Sequence, residues 1–172
     1  MLIESLSKNI HHASYKLPTP SNELLCYTPP VLKLPKSLEQ KLTILFPNQD
    51  VSRWETNDAS IVAKLEYGES SFLLTGDSTK KAEYILMNLD KSVLDSDVLK
   101  VGHHGSKNST SLAYAEVISP EYAVISAGKD NSYGHPHKEV LDRVKAEGAE
   151  LVSTIESGTI TFESDGVSIQ RK

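Results

Sequence analysis

A single cysteine, Cys26, stands in a chain of 172 residues, so no internal disulfide can staple the fold. A buried or idle thiol is the plain reading of it, and cysteine usage says little about compartment. No stretch reaches the roughly eighteen consecutive apolar residues of a membrane-crossing helix. The opening Met1-Leu2-Ile3-Glu4 also lacks the basic start and apolar core of a secretory leader. The expectation is a chain that is soluble and unexported as written. Basic residues are scarce as well: 18 Lys and Arg stand against 23 Asp and Glu, a net charge of −5. That argues against a general nucleic-acid binder, because displacing counterions from phosphates takes a basic face. It leaves open a nuclease whose metal ions bring the positive charge with them. There is no Cys-x-x-Cys spacing, no Gly-x-x-x-x-Gly-Lys loop and no Gly-x-Ser-x-Gly elbow. Zinc-ribbon, P-loop and α/β-hydrolase chemistries are therefore not signalled.

The length suits a single domain with a real core. Pro18, Pro20, Pro29, Pro30 and Pro35 exclude a long helix near the start, where two short strands are expected around 23–27 and 31–34. Residues 1–36 thus read as a Pro-rich N-terminal extension and 37–172 as the domain. Residues 42–46 form a short strand stopped by Pro47-Asn48. Residues 60–67 alternate, with Ile61, Ala63, Leu65 and Tyr67 on one face, and Gly68-Glu69 turns the chain back into an antiparallel strand over 70–75. Ser78 or Thr79 can cap a helix running to about Leu89, with Ala82, Ile85, Leu86 and Leu89 inward and Lys80, Lys81 and Glu83 outward. Strands over 97–101 and 122–126 alternate with helices over 110–118 and 136–147. Val140, Leu141 and Val144 are the buried stripe of the latter, and Gly148 closes it. Strands over 150–154, 159–163 and 167–170 complete the sheet. The pattern predicts an α/β fold.

Three of these strands end in glycine-marked turns that carry Asp or His. They are Thr75-Gly76-Asp77, Gly102-His103-His104-Gly105-Ser106, and Tyr133-Gly134-His135-Pro136-His137. In open α/β sheets, ligands bind at the carboxyl ends of strands. Asp77 can project over the sheet edge and hold or bridge cations, or it can serve as a helix N-cap beside Ser78. In an extended backbone His103 and His104 point oppositely, so one is expected as a metal ligand and the other as a group that supports the ligands or contacts phosphate. A plain polar pair is the alternative. Ser106 and Lys107 open a loop whose N–H groups, hydroxyls and ammonium can cradle an anion, or it is a capping loop only. His135 can donate to a phosphate or act as general acid, with Gly134 allowing close approach. His137 does the same or merely starts a helix. Asn57 and Asp58 can orient ligands or form a polar turn. Trp54 can stack on a substrate or cover the core edge.

The succession Asn57-Asp58-Ala59-Ser60-Ile61-Val62, Leu74-Thr75-Gly76-Asp77, Leu99-Lys100-Val101-Gly102-His103-His104-Gly105-Ser106 and Tyr133-Gly134-His135-Pro136-His137 resembles the metallo-β-lactamase-fold domain of the ComEC family of competence proteins. The match covers residues 42–172, in the family's order and spacing. The resemblance implies a partial αββα sandwich, its C-terminal half, with a mixed sheet and helices on one face. It implies a bacterial, metal-dependent hydrolase of phosphodiesterase or nuclease type linked to DNA uptake, working on a phosphodiester or nucleic acid with zinc or manganese. In that scheme Asp77 bridges, His104 ligates, and His103 joins the metal or the phosphate beside His135 and His137.

One departure governs the rest. The family's upstream His-x-His/Asp-x-Asp-His motif has no counterpart, since only His11-His12 precede these segments, with no Asp nearby. The expectation is a partial ligand set, dinuclear only when the missing N-terminal ligands are supplied, and a chain inactive or weakly active alone. An upstream half-domain or a homo-oligomer would complete it or cover its bare sheet face. The related family is membrane-associated, whereas this chain carries no membrane span. A non-catalytic phosphate- or nucleic-acid-binding module and a truncated gene fragment are the alternatives.

Overall fold

The computed structural model describes residues 40–172. Cys26, His11-His12 and the strands expected over 23–27 and 31–34 lie outside the described residues. Six strands form one sheet in chain order: β1 (Gln40–Phe46), β2 (Val62–Tyr67), β3 (Ser70–Leu74), β4 (Val98–Lys100), β5 (Tyr122–Ile125) and β6 (Glu150–Ser153). The first three pair antiparallel, while β3 through β6 pair in parallel.

Parallel neighbours need crossovers, supplied by α1 (Lys80–Leu89), α2 (Leu112–Ile118) and α3 (Lys138–Ala146). Each crossover steps one strand further the same way, and a right-handed crossover then puts every helix on the same face. The packing agrees. Ala82 and Leu86 of α1 and Tyr114 and Ile118 of α2 pack with Leu73 and Leu99, and Val140 and Val144 of α3 pack with Ala123 and Ile125. Leu99 and Ala123 are direct register partners, so these clusters share one face. Each fully buried Val, Leu or Ile among them contributes about 1.5–3 kcal/mol. Among the described residues the fold is therefore a mixed α/β sheet with helices on one face, consistent with a partial α/β sandwich.

The last strands do not extend this sheet. β7 (Phe162–Ser164) and β8 (Ile169–Arg171) pair only with each other, following a short helix α4 (Thr154–Ser157) that sequence reasoning missed. Ile160 and Phe162 instead lie on the second face of the sheet, against Phe72, Val98, Val124 and Val152. Alternation tells which side of a strand is buried but not against which sheet. Toward β1 this face is barer, with Leu42 and Ile44 exposed at 56% and 55%. A register shift after Ile44 then turns Phe46 into the helix-side core. Trp54 sits beside it, ring centroids 6.0 Å apart, with the Lys81 ammonium 3.6 Å above its own ring. It covers the core edge.

Helix α1 departs from its expected stripe in two places. Leu89, in its last turn, is 60% exposed, whereas Glu83 is 1% exposed. Ala82 and Leu86 are inward as expected, and Thr79 is the N-cap, its hydroxyl accepting from Lys81 N at 3.3 Å.

Candidate functional site

Because β3, β4 and β5 are parallel neighbours, the turns that follow them share one edge of the sheet. The first turn is fixed from below. Thr75 Oγ1 donates to the Lys100 carbonyl at 2.6 Å, and the Gly76 carbonyl accepts from His103 N at 3.2 Å. That carbonyl also accepts from Lys100 Nζ at 2.8 Å, and the same ammonium reaches Val101 O at 3.3 Å. Lys100 thus ties together the turns that carry Asp77 and the histidine pair. Burial strips its ammonium of water and brings its pKa down to about 8, a fall that the negative charge of Asp77 partly opposes. Sequence reasoning gave Lys100 no role. The signal was present, since a lysine inside the apolar run Val98-Leu99-Lys100-Val101 is out of place unless its charge is answered.

The second turn corrects an expectation. His103 and His104 are not extended: their φ values are +47° and +55°, both left-handed. L-residues adopt this region at a cost of about 1 kcal/mol or more, usually where the surroundings over-determine it. Here they do. Gly102 N donates to Thr110 Oγ1 at 3.1 Å, and Ser109 Oγ donates to the carbonyls of Gly102 and Ser106 at 2.7 and 2.8 Å. The far end of the loop is held from two helices. The Glu83 carboxylate on α1 accepts from Thr110 N and from Ser111 N, the latter at 2.9 Å. Arg143 on α3 donates to the carbonyls of Ser109 and Thr110 at 3.3 Å each. Burial raises the carboxyl pKa of Glu83, and the two backbone donors work against that rise.

With the backbone so held, the ring of His104 lies against Asp77, Nε2 to Oδ1 at 3.4 Å. Its Nδ1 is 2.5 Å from the Ser126 carbonyl, just past β5. A carbonyl only accepts, so Nδ1 carries a proton. His103 turns the other way, with Nε2 3.3 Å from Asn57 Nδ2. Its ring stands 5.6 Å from that of His135, which in turn stands 5.2 Å from that of His137. Burial lowers the pKa of His135, and the neighbouring imidazoles His103, His137 and His104 push it the same way.

The second and third turns touch at Gly105. A Cβ there would come 2.6 Å from Pro136 Cβ, and the glycine has φ +84°. His137 N donates to the Gly105 carbonyl at 2.9 Å and is the N-cap residue of α3. Pro136 therefore lies before α3 rather than opening it.

The other candidates are placed less centrally. Ser106 is buried, and its hydroxyl accepts from Asn108 N at 3.3 Å within the loop. Lys107 is exposed. Asp58 accepts from Thr79 Oγ1 at 2.5 Å and from Lys81 Nζ at 3.3 Å, which ties it to the start of α1. The Thr79 hydrogen bond is the main cause of its lowered pKa. So Asp77, His103, His104, His135, His137 and Asn57 are gathered at one edge, while Asp58 and Ser106 brace the elements around it.

No protein-family model matches the chain. It is 42% identical over 106 residues, 62% of its length, to ComE operon protein 3 of Bacillus subtilis. It is 40% identical over 119 residues to Competence protein ComA of Neisseria gonorrhoeae, and 37% identical over 130 residues to Recombination protein 2 of Haemophilus influenzae. These matches take in 68% and 74% of the chain. The aligned part spans only 14%, 17% and 16% of those three relatives' own lengths.

Proposed function

We propose that this chain, a homologue of one segment of the ComEC-family competence proteins, is the phosphodiester-handling part of a metal-dependent hydrolase of phosphodiesterase or nuclease type. The observation that carries the reading is the pair Asp77 and His104, 3.4 Å apart, with His104 Nδ1 committed to Ser126. A neutral ring then turns its Nε2 lone pair toward a carboxylate oxygen, acceptor against acceptor. A proton or a cation between them relieves the conflict. A metal-ligating histidine commonly donates its other N–H to a backbone carbonyl, and Ser126 stands in that relation to His104.

A catalytic zinc usually takes three protein ligands. Among the described residues no three His, Cys, Asp or Glu side chains are grouped to hold one. As a self-contained metal centre they do not fit. Zinc or manganese would need further ligands from another segment or another chain, and the polypeptide alone is expected to be inactive or weakly active. Its own residues do the holding. The rings of His103 and His135 meet edge-on with centroids 5.6 Å apart, and imidazole N–H groups are donors of the kind that suits a phosphoryl oxygen. Asn57 orients the first ring, and Asn131 holds the backbone of the second, accepting from His135 N at 2.9 Å. His137 closes the row.

The test is metal content by elemental analysis after equilibration with zinc or manganese, on the wild-type chain and Asp77→Ala in parallel. Binding that is weak in the wild type and absent from the variant supports the ligand pair. No metal in either chain would sink that pair. Phosphate binding that persists under chelation would then leave a non-catalytic binding module.

A further inference from the structure

Tyr133 stands at the rim of this site. The residue is 77% exposed, yet its ring lies nearly parallel to His135, at 22° and a centroid distance of 5.8 Å. The loop that carries it is not loosely tethered. Asn131 Nδ2 donates to the carbonyls of Gly128 and His135, both at 2.7 Å, and Asn131 Oδ1 accepts from His135 N. The backbone on either side of Tyr133 is thus tied down, and the large side chain it carries keeps most of its surface in water, which adds little to the core. His135 in turn neighbours His103, so the aromatic row runs outward from the imidazoles to Tyr133.

We infer that Tyr133 is a stacking platform for a nucleobase of a single-stranded nucleic acid whose phosphodiester lies at His103 and His135. This rests on the phosphodiester reading of the site, because the imidazoles decide where the backbone runs. An exposed ring beside a phosphate contact suits any base, since each presents a flat π face. The flank is therefore sequence-tolerant, and it discriminates nucleotides from simple phosphate esters.

Fluorescence anisotropy of the full chain tests this, with labelled oligothymidylate and an abasic strand of equal length and charge. Wild type should bind the thymidylate about fivefold or more tighter than the abasic strand. Tyr133→Ala should erase that preference and leave the abasic affinity unchanged, whereas Tyr133→Trp should keep it. An unaltered preference in Tyr133→Ala overturns the inference. So does a wild type that binds both strands equally, which leaves the phosphodiester reading standing. Binding of neither strand overturns both.

Discussion

Lys100 illustrates how a single buried charge can organise a site. It is 7% exposed, and its ammonium answers carbonyls from two separate turns. Its pKa is about 8 when folded, against an ordinary value of 10.5, so the unfolded chain binds more protons between those values. Stability should accordingly rise as the pH climbs from about 8 toward 10.5, and the burial cost should be fully present below 8. Urea unfolding at pH 7.5 and pH 10 measures this. The wild type should gain about 2 kcal/mol across the interval from this group. Lys100→Met should lack that gain. Glu83 shows the limit of reading residues singly. Helical periodicity put it on the outer face of α1, but its partners are backbone N–H groups 27 and 28 residues further along. No local pattern encodes donors that arrive from a distant loop, and a carboxylate is tolerated inside only because they do. The left-handed backbone of His103 and His104 was hidden for a related reason. Flanking glycines announce a turn but do not say which residues within it take positive φ.

At the scale of elements, the positions of the strands along the chain were legible, because period-two burial and glycine-marked ends are local signals. That the turns after β3, β4 and β5 share an edge follows from parallel pairing and was legible too. The contact between turns was not. Gly105 and Pro136 are 31 positions apart in the chain, yet a Cβ on the first would meet the Cβ of the second at 2.6 Å. Gly105→Ala should therefore cost about 1–3 kcal/mol through steric overlap and positive φ together. Thermal unfolding measures the cost. Histidine ring NMR signals should shift for His103 and His135 together, since the contact sets the spacing of their loops. The closing hairpin was legible, but its separation from the main sheet was not, because Phe162 and Ile160 signal a buried face without naming its partner.

For the whole molecule, charge sets the mode of binding. A net charge of −5 argues against a broad basic face spread along a polyanion. Affinity for an oligonucleotide should be carried by the imidazole row and should include only one or two phosphate contacts. The slope of log affinity against log salt should then be shallow, no steeper than about −1 for a single strand. Anisotropy titrations across a salt series measure it, and a much steeper slope would point to a distributed electrostatic surface instead. The left-handed histidines carry a consequence at this scale as well. Glycine is the residue that tolerates φ +47° and +55° best, so the fold would relax if it replaced them. A population of these molecules selected only for heat resistance would drift toward losing the imidazoles. Where the pair persists, something other than folding is maintaining it.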